Sequence, residues 1–427
     1  MLVVTANWGI GDGSLGAGPG AGRAAAFVSA LRHAAARAGC RRDGGYRPVE
    51  RVDVVFAGDT FDWLVSRRWN ARRRPWDSGR GTLGVRTEVA RASLARAWPL
   101  FGDLRRLVRH GLRVPAADRQ GRPSLERIVT VPVAVVLLAG DRDAWLEHAG
   151  GARLARRLGV RIGSGTGVGG VVIHHGHDAG PPDRSRSAAA SGAVGDSADG
   201  GPTLLESTLV DLVVPFAMLP TTTEHAGLVR RLAAVESPLD MPALVAAECG
   251  LATTQRTERG LLLADDWRRA VDDWRRVAAR CMPRSNAPFD PLDALAGWLS
   301  QIDPLPQREP PALLTAVSAP PDPRAFAATS TLTVLGHPAG RHLPSGVPCL
   351  CLGPRPAAPG AQVGAATTVG GPGAAWVVPE SAVVEPIRAV VLGDPPGIGS
   401  VTALAGFDER CAAAGATAGR FRAIDAA

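Results

Sequence analysis

Four short β-branched runs frame the chain, Leu2–Thr5, Val52–Ala57, 133–139 and Val171–His174, and each ends in a glycine-rich or polar turn. Between them lie arginine- and alanine-rich stretches of helical period, Ala21–Ala38, 86–110 and 146–158. Strand and helix in alternation predict a layered α/β core. Strands that are almost continuously apolar predict a sheet covered on both faces. The alternation then breaks. Residues 180–202 are rich in Gly, Ser, Ala, Asp and Pro without periodicity, which predicts a flexible loop. From 204 to 280 the pattern is helical, with Trp267 and Trp274 seven residues apart on one face, a spacing that predicts core.

A proline-rich stretch at 304–323 ends the helical region, and strand signals return at 331–335, 347–352, 375–378 and 387–392. The pattern predicts one sheet-based core interrupted by a helical insertion. Its parts are a first core segment (1–178), a linker (179–203), a helical insertion or cap (204–323), a second core segment (324–395) and a C-terminal extension (396–427).

Composition narrows the class. With 45% hydrophobic and 21% charged residues in 427, a wholly disordered or fibrous chain is excluded. All 48 basic residues are arginine, and with 51 glycines and 35 prolines the net charge of +8 reads as GC-biased coding rather than a nucleic-acid footprint. One local exception is the stretch 69–76, where Arg72, Arg73 and Arg74 lie between Trp69 and Trp76, a composition that can bind single strands. Six scattered cysteines without a CxxC predict reduced thiols and neither a disulfide framework nor a zinc ribbon. The first residues carry no basic n-region, so a cytoplasmic location is expected. The most apolar stretch, 204–219, contains Glu206, Asp211 and Pro215 and falls short of the usual ~20-residue span, which predicts a buried or surface-docking helix and leaves peripheral membrane contact open.

The chemistry sits at the strand ends. The second run leads into Gly58-Asp59-Thr60-Phe61-Asp62, the third into Gly140-Asp141-Arg142-Asp143, the fourth into His174-His175-Gly176-His177-Asp178, and the fifth into Gly336-His337. Ligands of open α/β sheets bind at the carboxyl ends of strands, where loops converge. Carboxylates and imidazoles delivered there by separate strands make a mixed O/N metal site. Of nine histidines, four lie in two of these turns, which favours a site over chance.

This ordered set resembles the calcineurin-like metallophosphoesterases, in particular the bacterial branch that includes diacylglucosamine pyrophosphatases. Gly58-Asp59-Thr60-Phe61-Asp62-Trp63 matches the family's Gly-Asp-x-x-Asp block, and Gly140-Asp141-Arg142-Asp143 its Gly-Asn-His-Asp block. His175-Gly176-His177 matches the His-Gly turn, and Gly336-His337-Pro338-Ala339 half of Gly-His-x-His. The resemblance implies a layered α/β/β/α sandwich with the helical insertion outside it. It also implies metal ligands at Asp59, Asp141, His175 and His337, with Asp59 and His175 in catalysis and Asp62, Arg142 and His177 toward substrate. Where the family has Asp-x-His after the first strand, this chain has Ala6 and Trp8, and Ala339 replaces the last histidine. Three of four protein ligands to one metal are therefore missing, and those of the other remain.

One divalent ion, Mn, Fe or Zn, is the implied cofactor, and a second ion would lack most of its protein ligands, with Ala6, Trp8 and Ala339 in their places. The family's proton-donating histidine is Arg142 here, whose guanidinium stays protonated but can grip a phosphate. A phosphate-containing small molecule or lipid is the implied partner. Two functions follow as expectations: a metal-dependent phosphoesterase, or a pseudoenzyme that binds or scaffolds. A third reading takes Gly11-Asp12-Gly13-Ser14-Leu15-Gly16 as a dinucleotide-binding loop, although Asp59 lies far beyond the usual ~20-residue distance for its acidic partner.

Overall fold

In a computed structural model the residues described are 1–6, 8–15, 21–41, 44–69, 73–77, 79–147, 149–163, 165–168, 171–175, 202–235, 238–250, 257–281, 290–302, 332–335, 349–351, 389–392 and 401–403. The chain is mixed α/β. The first half runs β1 (Leu2–Thr5), α1 (Ala21–Ala38), β2 (Val52–Ala57), α2 (Arg80–His110), β3 (Leu112–Ala117), β4 (Pro123–Val131), β5 (Val133–Leu138), α3 (Ala149–Leu158), β6 (Arg161–Gly163), β7 (Gly165–Val168) and β8 (Val171–His174). Helices follow at α4 (Leu204–Ser207), α5 (Val214–Phe216), α6 (Ala226–Ala233), α7 (Met241–Glu248), α8 (Glu258–Cys281) and α9 (Pro291–Leu299). Strands return as β9 (Leu332–Leu335), β10 (Cys349–Cys351), β11 (Ala389–Leu392) and β12 (Val401–Ala403).

The strands form two larger sheets beside the β3–β4 pair. One has the order β12-β11-β1-β2-β5-β6, and the other β10-β9-β8-β7. β1, β2, β5 and β6 are parallel, with Thr5 opposite Phe56 and Ala57 opposite Leu138, so β1, β2 and β5 run out at one edge. Every residue of β2 is buried, and the run is apolar apart from Asp53, whose carboxylate accepts from Arg51 Nε at 3.0 Å.

The third strand ends at Leu138, one residue short of the predicted run. The hairpin β3–β4 is an addition to the sequence reading. Leu112, Val114 and Ala116 alternate inward, but Pro115 within the run argues against a strand, and the ladder shifts register beside it. Helix α2 begins six residues earlier than 86, beyond Gly81 and Gly84, which blur the period. Arg86 ties it back by donating from Nε to the Pro75 carbonyl at 2.8 Å. The predicted strand at 375–378, the loop at 180–201 and the proline-rich stretch at 304–323 lie outside the described residues.

The helical region packs as the spacing predicts. Along α8 the buried residues are Gly260, Leu263, Ala264, Trp267, Val271, Trp274 and Ala278, one stripe at helical period. Trp267 donates to the Leu299 carbonyl at 2.8 Å and meets Phe216 edge-on, and Trp274 donates to Ser207 Oγ at 3.0 Å. The apolar stretch from 204 is spent on this packing: Leu209, Val210, Leu212 and Val213 are buried in a π-helical turn, Thr208–Val213. Among the described residues no single helix is long and apolar enough to cross a membrane; one pair, Leu204–Phe216 and Pro220–Ala233, passes jointly but bends by 105°.

Candidate functional site

The parallel register brings the turns after β2 and β5 together, and β8 of the second sheet delivers His175 to them. Two glycines make the approach possible. A Cβ on Gly58 would lie 2.0 Å from His175 Nδ1, and Gly58 has φ +92, a left-handed conformation that favours glycine. A Cβ on Gly140 would lie 2.2 Å from Asp59 Oδ1. Between them Asp59 is the one non-glycine residue with positive φ, +49, among the described residues.

Asp59 and His175 meet at this corner. His175 Nδ1 donates to the Ala57 carbonyl at 2.9 Å, and its Nε2 lies 3.5 Å from Asp59 Oδ2. Both residues are buried. Asp59 Oδ1 accepts from the Arg142 backbone N–H at 2.9 Å. The neighbouring carboxylates act as braces. Asp143 accepts from Gly140 N at 2.6 Å and Phe61 N at 3.0 Å, pinning the two turns together. Burial first, and then the charge of Asp59, pushes its carboxyl up to about 7. Asp62 accepts from Val65 N at 3.2 Å and pairs with Arg142, and burial pushes its carboxyl up against the opposing pull of that guanidinium.

Arg142 is placed differently from the expectation of a phosphate grip. It is buried, and its Nη1 donates to Asp62 Oδ2 at 2.6 Å and to the Ala233 carbonyl at 2.5 Å, while Nη2 donates to the Val235 carbonyl. A guanidinium donates in a planar fork, and this fork points at the end of α6. Asp62 likewise faces Arg142 rather than an open cleft.

The other candidates divide in two. Asp141 is half-buried in the turn after β5, beside Arg142. His177, His337 and Ala339 lie outside the described residues. At the end of β1 the two departures are structural: Ala6 and Trp8 are both 3% exposed. Trp8 packs edge-on against Phe27 at 5.2 Å, contacts Phe56 at 5.7 Å and donates from Nε1 to Thr5 Oγ1 at 2.9 Å.

The glycine-rich loop after β1 turns its polar groups inward. Asp12 accepts from Ser14 N at 2.9 Å and from Ser66 Oγ at 2.6 Å, while Gly16 of the glycine-rich motif lies outside the described residues. In 69–76 the tryptophans are core rather than a stacking platform. Trp69 is buried with Nε1 on the Trp63 carbonyl at 2.7 Å, Trp76 packs against the core, and Arg74 is buried against Asp211 at 2.7 Å.

The Asp59–His175 corner can be tested against a cation by distance. Ligands at about 2.1 Å from a tetrahedral Zn²⁺ sit roughly 3.4 Å apart, and Asp59 Oδ2 and His175 Nε2 are 3.5 Å apart. An imidazole whose Nδ1–H is held by a carbonyl presents Nε2 as the ligating atom. These two residues fit two corners of a coordination sphere; among the described residues no group of three metal-ligating side chains is gathered. The sequence reading missed Asp143 as the brace of both turns, although it stands in the quoted Gly140-Asp141-Arg142-Asp143 block. The Ala233 and Val235 carbonyls left no signal, because main-chain acceptors are common to every sequence. No protein-family model, curated protein or solved structure significantly matches the chain.

Proposed function

We propose that the chain is a metallophosphoesterase-like protein, its two sheets stacked as a layered α/β/β/α sandwich. It holds one divalent cation at the Asp59–His175 corner and binds a phosphate-containing small molecule or lipid beside it. The observation that carries this reading is the state of Asp59, a buried carboxylate on a left-handed backbone at φ +49. Such a conformation costs about 1–3 kcal/mol and persists where its surroundings over-determine it, commonly at functional sites. Burial beside Asp62 and Asp143 crowds three acidic side chains, of which Arg142 pairs with Asp62 at 2.6 Å and lies 4.0 Å from Asp59, while Asp143 is held by backbone N–H groups. A divalent cation would offset that excess.

Asp141 and His337 are the further ligands that the sequence resemblance supplies. Oxygen and imidazole donors suit Mn²⁺, Fe²⁺ or Zn²⁺. When bound, one such ion supplies Lewis acidity toward a phosphate oxygen and an acidified water. The protein's own part is orientation: Ala57 fixes the imidazole, Asp143 fixes both turns, and Gly58 and Gly140 leave room for them.

A second reading, binding without turnover, is favoured by Arg142. Its guanidinium stands where the resembled family places a proton donor, cannot release a proton at working pH, and is engaged by Asp62, Ala233 and Val235. Metal analysis after loading with Mn²⁺ or Zn²⁺ separates the cases. One equivalent per chain is expected, lost in Asp59→Asn and His175→Ala; no bound metal in the wild-type protein would overturn the cation site. With metal bound, turnover of a general phosphodiester above the Asp59→Asn background identifies an enzyme, and its absence a binding module.

A further inference from the structure

Arg142 connects parts of the chain that are distant in sequence. Its carbonyl partners Ala233 and Val235 are 91 and 93 residues away, at and just beyond the end of α6. The last carbonyls of a helix lack intrahelical partners and carry the negative end of its dipole, so a buried guanidinium is well matched to them. The same side chain holds Asp62, and its backbone N–H holds Asp59. The Asp59–His175 corner is closed to solvent, with His175 only 1% exposed.

We infer that the helical region is a cap over the Asp59–His175 corner and that Arg142 is its latch, so that a ligand reaches His175 only when the guanidinium releases the Ala233 and Val235 carbonyls. The inference rests on the reading of that corner as the binding site. An anionic phosphate offers the same fork-shaped acceptor pair that the two carbonyls provide, so ligand entry and latch release are one exchange of partners. Arg142 is thus the latch on the end of α6 and, once released, a ligand-binding residue.

The test measures access and local opening together in full-length protein, using Arg142→Lys, whose single ammonium cannot span Asp62 and both carbonyls, and Arg142→Gln. Modification of His175 by diethyl pyrocarbonate, read by peptide mass spectrometry against the exposed His110, is expected to rise about tenfold or more, the scale of one lost charge-assisted hydrogen bond. Amide exchange in α6 should accelerate in parallel while β1, β2 and β5 keep wild-type protection. Unchanged His175 modification in both variants would overturn the latch, as would acceleration spread equally over α6 and the β-strands in Arg142→Lys. Mn²⁺ titration keeps the two readings apart. If His175 is unmasked and Mn²⁺ does not bind any form, the cation reading fails and the latch stands; if Mn²⁺ binds wild type and variants at the same rate, the latch fails and the cation reading stands.

Discussion

At the end of β1, Ala6 is buried and Trp8 packs against Phe27 and Phe56. At the end of β2, its parallel neighbour, Asp59 and Asp62 are just as buried but meet Arg142 and His175. The two turns are joined directly, through Gly9 N to the Asp59 carbonyl at 3.0 Å and Ile10 N to the Thr60 carbonyl at 3.1 Å. Burial is therefore equal and chemistry opposite. One strand end contributes packing energy, while the other keeps backbone strain and crowded charge that packing would not maintain.

Four experiments, three of them at this site and one away from it, test that contrast and its limits in descending order of effect. Arg142→Ala removes the one guanidinium among the buried carboxylates and leaves Asp62 uncompensated, so a loss of about 3–5 kcal/mol is expected in chemical denaturation. Adding Asp62→Asn should return a large part of it, because the stranded charge is then gone. Equal stability in both variants would mean the ion pair contributes little.

Trp8→His restores the residue type of the resembled family at the first strand end. It should cost about 2–4 kcal/mol, since the aromatic contacts with Phe27 and Phe56 are lost, and bind no second equivalent of Mn²⁺. A variant of undiminished stability with two bound ions would erase the distinction between the two ends.

Asp59→Asn keeps the shape, tolerates the left-handed backbone better and removes repulsion toward Asp62 and Asp143. A gain of about 1 kcal/mol in metal-free stability, with loss of Mn²⁺ binding, is the expected opposition of stability and function. A stability loss would show that the Asp59 charge is structural.

The smallest effect lies away from the site, in the helical region. Glu248 is held below its usual carboxylate range first by its hydrogen bond from His225 and then, against some burial, by Arg231. A lowered folded-state value means the stabilisation is present above the unfolded value near 4.5 and is lost as pH falls through the folded one. Arg231 is half-exposed, so Glu248→Gln should remove about 0.5 kcal/mol at pH 7 and flatten the melting temperature below pH 4.5. An unchanged acid slope would assign it to other carboxylates.

Much of this architecture was legible locally. The strand runs at Leu2–Thr5 and Val52–Ala57 and the helix Ala21–Ala38 appear at the predicted positions because each is a continuous apolar or helical-period stretch bounded by glycine or polar turns. The hairpin β3–β4 was not, since Pro115 interrupts a pattern whose inward alternation is otherwise clear. At the site, the meeting of Asp59 with His175 follows from two strand-end motifs. Arg142 could be marked as chemically different but not placed, because two of its acceptors are main-chain carbonyls at and just beyond the end of a helix, 91 and 93 residues away.

Sequence by itself determined the alternating α/β order, the buried tryptophan stripe of α8 and the residue types at each strand end, since all three are properties of local period and composition. Only the tertiary structure decided that Trp8 is core, that 204–219 is an internal support of α8, and that Arg142 faces the helical region. The physical reason is common to the three: a side chain's role depends on what satisfies its surface and its hydrogen bonds, and those partners come from distant segments that local pattern does not record.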